Sequence, residues 1–375
     1  MVKFFQQYAR DLPRFGDIMV PQANSFGVLR LAMATLVLIS HSYLFAFGTS
    51  EAEPLTMWTG HSLGEHAVQV FFILSGILVA QSFERSRSLL DFVAARVLRI
   101  FPALIVCVLL TALLFGPLVS QFSALEYFNS RALPAYLLKT LSLSTGSASL
   151  PGVFENVPLA SNVNISLWTL KYEVLCYVGL ATAGMAGLFN PRWRNSVAIA
   201  LAVFLIVIFA AEPKDQSTYN FSDNIRYFSL FFGTGVLAFL MRDGIVIAGE
   251  FVAPLAVLAA IAIGTRFAEL ATALFLGYAV VWLAAKSFGP LRGFCNRVDL
   301  SFGVYIFAGP IQQAIIEAAP TLSPLDIAAM AAAFVFPLAL LSWVLIEHPA
   351  LQLRSRLRAS RAKGQIVRRA RIVLA

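Results

Sequence analysis

Long apolar runs separated by short polar stretches recur along the whole chain. A run of about twenty residues with few charges predicts a helix that can cross a bilayer, because a helix rises about 1.5 Å per residue through a hydrocarbon core of about 30 Å. The runs predict about ten transmembrane helices, at residues 27–47, 63–82, 100–118, 167–188, 195–211, 226–241, 245–264, 268–285, 299–318 and 326–346. We therefore predict an all-α, polytopic integral membrane protein.

The charges between the runs predict the orientation of these helices. Cytoplasmic connections are enriched in Lys and Arg. In this chain, every second connection is basic, as in residues 1–26, 83–99, 189–194 and 286–297. Both termini are therefore predicted to be cytoplasmic. The longest outer connection, residues 119–166, includes a predicted short helix at Leu133 to Leu143, and is a candidate lid or acceptor-binding loop.

Composition agrees with a membrane protein, since 59% of the residues are hydrophobic and only 13% are charged. The positive net charge comes from residues 351–375, which hold eight Lys and Arg and no acid. We interpret this tail as an anchor on anionic lipid headgroups and expect no nucleic-acid partner. The three cysteines have no metal or disulfide spacing, and neither a metal nor a bound cofactor is predicted.

The first run is too long for the apolar core of a typical signal peptide, so it is predicted to be an uncleaved helix. It carries Arg30 and His41. Eleven steps of about 100° bring the helix round almost three turns, so the two side chains share one face about 16 Å apart along the axis. Because ionisable groups are costly in the membrane, this face predicts a functional groove. The alternatives are that Arg30 extends to the headgroups and that His41 is a satisfied interior residue.

Two further segments carry polar or small residues at membrane depth. In the second run, Glu65, Gln69, Phe72 and Gly76 follow one helical stripe, and Ser75 with Gly76 allows close approach of a ligand or simply of another helix. Arg96 and Arg99, three residues apart, can bind a phosphate by forked hydrogen bonds, although an ordinary basic flank would look the same.

The fourth run places Glu173 and Tyr177 on one helical face with Thr169. Glu173 must find compensation on another helix, at a depth similar to that of His41. A carboxylate that orients an imidazole is a recurrent arrangement for a general base. Trp168 precedes this face, and interfacial aromatic residues are the more common role for such a tryptophan.

Together, these segments resemble the membrane-bound acyltransferase-3 family, whose members O-acylate envelope glycans and some secreted small molecules. The similar elements are Arg30 with His41 ten residues beyond it, "FFILSG" at Phe71–Gly76, "RVLRIFP" at Arg96–Pro102, "WTLKYE" at Trp168–Glu173 and "EHP" at Glu347–Pro349. One departure is that Ala308, in "GVYIFAGP", stands where members often have a histidine. No second histidine is therefore expected to act there.

The resemblance implies an O-acyltransferase, and most simply an O-acetyltransferase, in the bacterial cytoplasmic membrane. Its donor would be acyl-CoA, its acceptor a hydroxyl of a glycan or lipid-linked glycan, and its surroundings membrane lipids. The domain would span residues 27–349, between a basic segment at 1–26 and the tail at 350–375. The expected catalytic residues are His41 and Glu173. The expected acyl-CoA-binding residues are Arg30, Arg96, Arg99, Ser75 and Gly76. The expected supporting residues are Phe72, Trp168, Tyr177 and Tyr305.

Two other classes of function fit the composition. A transporter or flippase for an anionic or glycolipid substrate would also carry charges inside the membrane. A sensor or scaffold without turnover would not need His41 and Glu173. Transfer or hydrolysis of acyl-CoA by the purified protein separates the enzyme from both alternatives.

Overall fold

The computed structural model describes residues 12–20, 22–144, 148–211 and 220–354. Within these ranges the chain is helical and contains no β-strand; one isolated antiparallel bridge joins Arg14 to Val246. The all-α prediction is therefore confirmed. The tail beyond residue 354 and the first eleven residues lie outside the described ranges.

Among the described residues, ten longer helices occupy the positions of the ten predicted runs. They are α1 (Phe26–Phe47), α2 (Leu63–Glu84), α3 (Leu89–Leu110), α4 (Leu170–Met185), α5 (Arg194–Ala211), α6 (Phe221–Leu240), α7 (Val252–Ala262), α8 (Ala268–Ala284), α9 (Ser301–Ala318) and α10 (Pro324–Ser342). A shorter helix, Ala132–Leu141, lies close to the one predicted in the long connection.

In the part of the chain that the structure describes, four segments are long and apolar enough to cross a membrane. They are Phe26–Phe47, Leu63–Glu84, Leu89–Val119 and Pro324–Arg354. Three shorter apolar helices are present as well, at Arg194–Phe209, Gly249–Ala262 and Ala268–Ala284. The number of ten spans and the cytoplasmic location of the termini stay predictions.

The start of α3 differs from its prediction by eleven residues. The apolar run begins at residue 100, but the helix begins at Leu89 because Ser88 accepts a hydrogen bond from the backbone N of Asp91 at 3.2 Å. This N-cap satisfies one of the free donors at the helix start. As a result, Arg96 and Arg99 lie within a helix rather than in a connection.

The tightest helix contact joins α2 to α6. A Cβ on Gly76 would lie 2.1 Å from the carbonyl oxygen of Phe232, and one on Gly235 would lie 2.0 Å from that of Ile73. Only glycine permits backbones to approach so closely. The two glycines therefore fix how far α6 stands from α2, and α1 packs against the same α2.

Helix α9 lies at the centre, packed against α1 and α10. Pro310 lacks an N–H, so the carbonyl of Ile306 one turn earlier has no helical donor. Asn164 fills this place by donating its Nδ2 to that carbonyl at 2.7 Å. Gln313 donates to the carbonyls of Leu159 and Asn162 at 2.9 Å. These bonds attach the segment before α4 to α9.

Candidate active site

Two neighbouring cavities hold most of the predicted site residues. One, of about 240 Å³, is lined by Arg30, Ser75, Arg96, Arg99, Glu173 and Tyr177, and we name it the arginine cavity. The other, of about 350 Å³, is lined by His41 and by residues of the 48–62 connection, and we name it the histidine cavity. Val68, Thr169 and Tyr305 line both cavities.

The wall between the two cavities is polar. Thr169 Oγ1 and the Tyr305 hydroxyl are hydrogen-bonded at 2.7 Å, and both residues are buried. The ring of Tyr305 also meets Phe71 edge to face, with centroids 5.9 Å apart. Tyr305 is therefore part of the wall that separates the arginine cavity from the histidine cavity.

Glu173 is held inside the arginine cavity. Its Oε1 accepts a hydrogen bond from Ser75 Oγ on α2 at 3.1 Å and a short one from the hydroxyl of Tyr177, one turn further along α4. Compensation from another helix, as predicted for this carboxylate, is thus supplied by Ser75. The bond to Tyr177 comes from its own helix, since residues four apart share a face.

Arg30 and Arg99 meet at a common carboxylate. Arg30 Nη1 lies 2.5 Å and Arg99 Nη2 lies 2.8 Å from Asp299 Oδ2. Arg99 Nη1 lies 3.4 Å from Glu347, a buried carboxylate that also accepts from Ser342 Oγ. Three of the family-like sequence elements, those that contain Arg30, Arg99 and Glu347, therefore meet in one partly buried ion cluster with Asp299. In this cluster the charges are compensated by pairing.

Arg96 differs from Arg30 and Arg99, which also line the arginine cavity. Its Nη2 donates to Ser82 Oγ at 3.2 Å, and its guanidinium lies 5.6 Å from the ring centroid of Tyr177 and 6.0 Å from that of Phe92. Within the described ranges it makes no ion pair with a carboxylate, and its buried Nε has no hydrogen-bond acceptor. Arg96 is thus the arginine best placed to accept an external anion.

His41 lies in the histidine cavity, on the face of α1 that it shares with Arg30. Its Nδ1 is 3.3 Å from Ser166 Oγ, and its ring meets Phe45 edge to face. Ser166 belongs to the turn Ile165–Thr169 at the end of the long connection, next to the Asn164 that is attached to α9. The connection therefore supplies a partner for the histidine.

The predicted pairing of His41 with Glu173 is wrong. The hydrogen-bond partner of His41 in the described ranges is Ser166, whereas those of Glu173 are Ser75 and Tyr177. The reason is helix packing: α1 turns His41 toward the histidine cavity, and α4 turns Glu173 toward the arginine cavity. Similar depth did not bring the two side chains together.

The assignment of Gly76 to donor binding is also corrected. This residue contacts the backbone of α6 and does not line either cavity. Phe72 lines the arginine cavity and stacks on Phe228 with centroids 4.4 Å apart. Trp168 lines the histidine cavity, so it is not simply an interfacial residue.

Several polar partners of these residues were not predicted from the sequence. Asp299 is the first residue of the predicted run 299–318 and follows the basic connection 286–297, so it could have been found from that position. Ser166 could not have been predicted as a partner of His41, because a single serine in a long connection is common and carries no distinguishing pattern. Glu65 was predicted only as a member of the helical stripe of the second run, and no role was predicted for His61; both residues line the histidine cavity.

The fold and the site define a helical membrane protein whose interior joins a basic cavity to a cavity that holds a histidine. The chain belongs to the acyltransferase-3 family, whose model describes an acyltransferase domain and matches residues 24–347. The resemblance drawn from the motifs is confirmed, and the protein is a membrane acyltransferase.

Two relatives support this assignment. The chain is 31% identical over 303 residues to an O-acetyl transferase of Shigella phage Sf6, which covers 79% of this chain and 86% of that protein. It is 30% identical over 372 residues to Nodulation protein 10 of Rhizobium leguminosarum bv. viciae, covering 90% of this chain and 96% of the relative. No solved structure matches the chain.

Proposed function

We propose that the protein is an O-acetyltransferase that moves an acetyl group from acetyl-CoA to a hydroxyl of a cell-envelope glycan, in the bacterial cytoplasmic membrane. The observation that carries the proposal is the shared wall of the two cavities. A basic cavity suits a donor with phosphates, and a cavity with a histidine suits an acceptor that must lose a proton. The O-acetyl transferase among the relatives supports the type of group that is transferred.

The donor would bind in the arginine cavity. At about 240 Å³ this cavity is smaller than most sites for drug-sized ligands, which measure about 300–1,000 Å³, so it suits the narrow pantetheine arm rather than a whole coenzyme. The phosphates would stay at the mouth with Arg96, near the end of the last helix, where Leu351 and Arg354 line the cavity. Ser75, Glu173 and Tyr177 would line the path of the arm.

The acceptor would bind in the histidine cavity. In the transfer step, His41 takes the proton of the acceptor hydroxyl, and the oxygen attacks the thioester carbonyl carbon. The carbon–sulfur bond then breaks, an ester forms, and coenzyme A leaves as a thiolate. The imidazolium of His41 returns its proton to solvent, and solvent protonates the thiolate. For His41 to act in this way, its Nδ1–H donates to Ser166 and its Nε2 carries the free electron pair.

The test is a transfer assay with purified protein, radiolabelled acetyl-CoA, and envelope polysaccharide taken from a deletion strain and stripped of its acetyl esters. Wild-type protein should label the polysaccharide. His41→Ala should lower the rate by roughly 10²-fold or more, the usual effect of losing a positioned base, while coenzyme A binding is kept. His348→Ala is a matched control, because His348 is exposed and lines neither cavity.

Two results would contradict the proposal. If the folded His41→Ala protein transfers acetyl at the parental rate, His41 is not the base. If the wild-type protein neither transfers nor hydrolyses acetyl-CoA, the donor is wrong, and a transporter or flippase for an anionic or glycolipid substrate becomes the better explanation for the basic cavity.

A further inference from the structure

A second group of titratable side chains lies at the start of α2, beside the histidine cavity. His61 Nε2 lies 2.9 Å from Glu269 Oε1 on α8, and His61 Nδ1 lies 3.7 Å from Glu65 Oε2. His61 is buried, with 7% of its surface exposed. The pairing of a carboxylate with an imidazole, which the sequence predicted for His41, therefore occurs at His61.

Glu65 is both fixed and available. Its Oε2 accepts the backbone N–H of Ser62 at 2.6 Å, and its own N–H donates to Ser62 Oγ at 3.1 Å, which is a capping box at the start of α2. The side chain is 49% exposed and lines the histidine cavity. Its other oxygen, Oε1, accepts no hydrogen bond from any residue in the described ranges, so it can accept one from a ligand.

The remaining lining of the histidine cavity suits a hydroxyl-rich ligand. Ser50 and Asn224 offer donors and acceptors, and the half-buried Trp168 presents an aromatic surface. Each sugar hydroxyl, like a serine hydroxyl, both donates and accepts hydrogen bonds, and a sugar ring also has an apolar face. Binding sites of this kind combine apolar walls with a few placed polar groups.

We propose that Glu65 binds the acceptor, accepting a hydrogen bond from a hydroxyl of a carbohydrate unit whose neighbouring hydroxyl is presented to His41. His61, held by Glu269 on the far side, is the positioning residue that keeps the Glu65 carboxylate at the cavity. This inference rests on the proposed function, because it needs an acceptor that enters from the histidine cavity.

The charge state of His61 supports this role. Burial disfavours the imidazolium, but the hydrogen bonds and charges of Glu269 and Glu65 raise the pKa of His61 to about 9. At neutral pH the imidazolium therefore lies between two carboxylates and attracts both. A protonated His61 cannot serve as the base, which leaves that task to His41.

The test uses the transfer assay with the stripped polysaccharide from the deletion strain, now measured at several polysaccharide concentrations. Glu65→Gln removes the charge but keeps an amide oxygen that can cap Ser62. We expect the half-saturating polysaccharide concentration to rise about 10-fold, the scale of one hydrogen bond to a charged group. Acetyl-CoA binding and its slow hydrolysis without acceptor should stay at parental values.

Glu126→Gln is the matched control. Glu126 forms the same capping box with Ser123, three residues earlier, but it is exposed and lines neither cavity. A purely structural effect of losing the capping charge would appear in both variants, whereas loss of acceptor binding appears only in Glu65→Gln.

The outcomes separate this inference from the proposed function. If wild-type protein labels the polysaccharide and Glu65→Gln has the parental concentration dependence, the acceptor role of Glu65 is wrong while the proposed function stands. If Glu65→Gln weakens acetyl-CoA binding equally, the residue acts on the donor and the inference is also wrong. If wild-type protein fails to label the polysaccharide, the proposed function fails first and this inference falls with it.

Discussion

Arg96 and Arg99 should respond differently to the same substitution, although both belong to one sequence element. Arg99 is shared by Asp299 and the buried Glu347, whereas Arg96 donates to the hydroxyl of Ser82 and pairs with no carboxylate in the described ranges. Arg99→Gln therefore removes internal ion pairs, whereas Arg96→Gln removes a cationic group that is available to a ligand.

The expected magnitudes follow from these contacts. Arg96→Gln should weaken coenzyme A binding by about 1.5–3 kcal/mol, the scale of a charge-assisted hydrogen bond, which is about 10- to 150-fold in Kd. The thermal stability of this variant should stay near the parental value. Arg99→Gln leaves Glu347 without its cation and Asp299 with Arg30 alone, and breaking such a buried pair costs about 3–5 kcal/mol.

The measurements are coenzyme A binding by calorimetry and thermal unfolding by tryptophan fluorescence, both in detergent. Arg192→Gln is the control, because Arg192 is exposed and lines neither cavity. The double variant Arg99→Gln with Glu347→Gln should recover part of the lost stability, since the unpaired carboxylate is then neutral. An unchanged Kd for folded Arg96→Gln, or equal Tm values for the two arginine variants, would refute the reasoning.

Two further predictions concern the stability of the bundle. Gly235→Val should lower the free energy of unfolding by about 1–3 kcal/mol, because its Cβ would lie 2.0 Å from the carbonyl oxygen of Ile73. The control, Gly179→Ala, should be neutral or stabilising, because a Cβ at that position meets no atom within 4 Å. Equal melting temperatures of the two variants would contradict the close approach. Because the folded pKa of His61 is raised from 6.5 to about 9, its contribution of up to about 3 kcal/mol is complete below pH 6.5 and lost as the pH rises through 9. The Tm difference between wild type and His61→Gln should therefore shrink over this window, and a difference that is constant from pH 6 to 9.5 would count against the charged pair with Glu269.

The positions of the helices could be predicted because long apolar runs are strong signals. The ends of the helices were harder to predict, since polar capping residues rather than hydropathy determine where a helix begins. Ser88 begins α3 eleven residues before the apolar run, and Asn220, which accepts hydrogen bonds from the N–H groups of Ser222 and Asp223, begins α6 at Phe221 instead of residue 226. Both caps are visible in the sequence but need to be searched for separately from the runs.

The residues of the site could be predicted better than their partners. Helical spacing correctly put Glu173 and Tyr177 on one face, because that relation is local. It could not show that Arg30 and Arg99, which are 69 positions apart in the chain, share Asp299, because this depends on how α1, α3 and the segment before α9 pack together. For the same reason, the contact of His41 with Ser166 could not be predicted from helical spacing.

The residue that replaces the family's second histidine bears on the proposed chemistry. Ala308 is buried, with 2% of its surface exposed, and its methyl group cannot move a proton. One base is nevertheless sufficient for transfer from a thioester. A thiol such as that of cysteine has a pKa of about 8.5, so the leaving thiolate does not need a proton before the carbon–sulfur bond breaks. The acceptor hydroxyl does need to lose its proton, and His41 is placed in the cavity proposed for that acceptor. His41 on the proposed acceptor side and the arginines on the proposed donor side therefore match the two halves of the proposed reaction, without an acid at position 308.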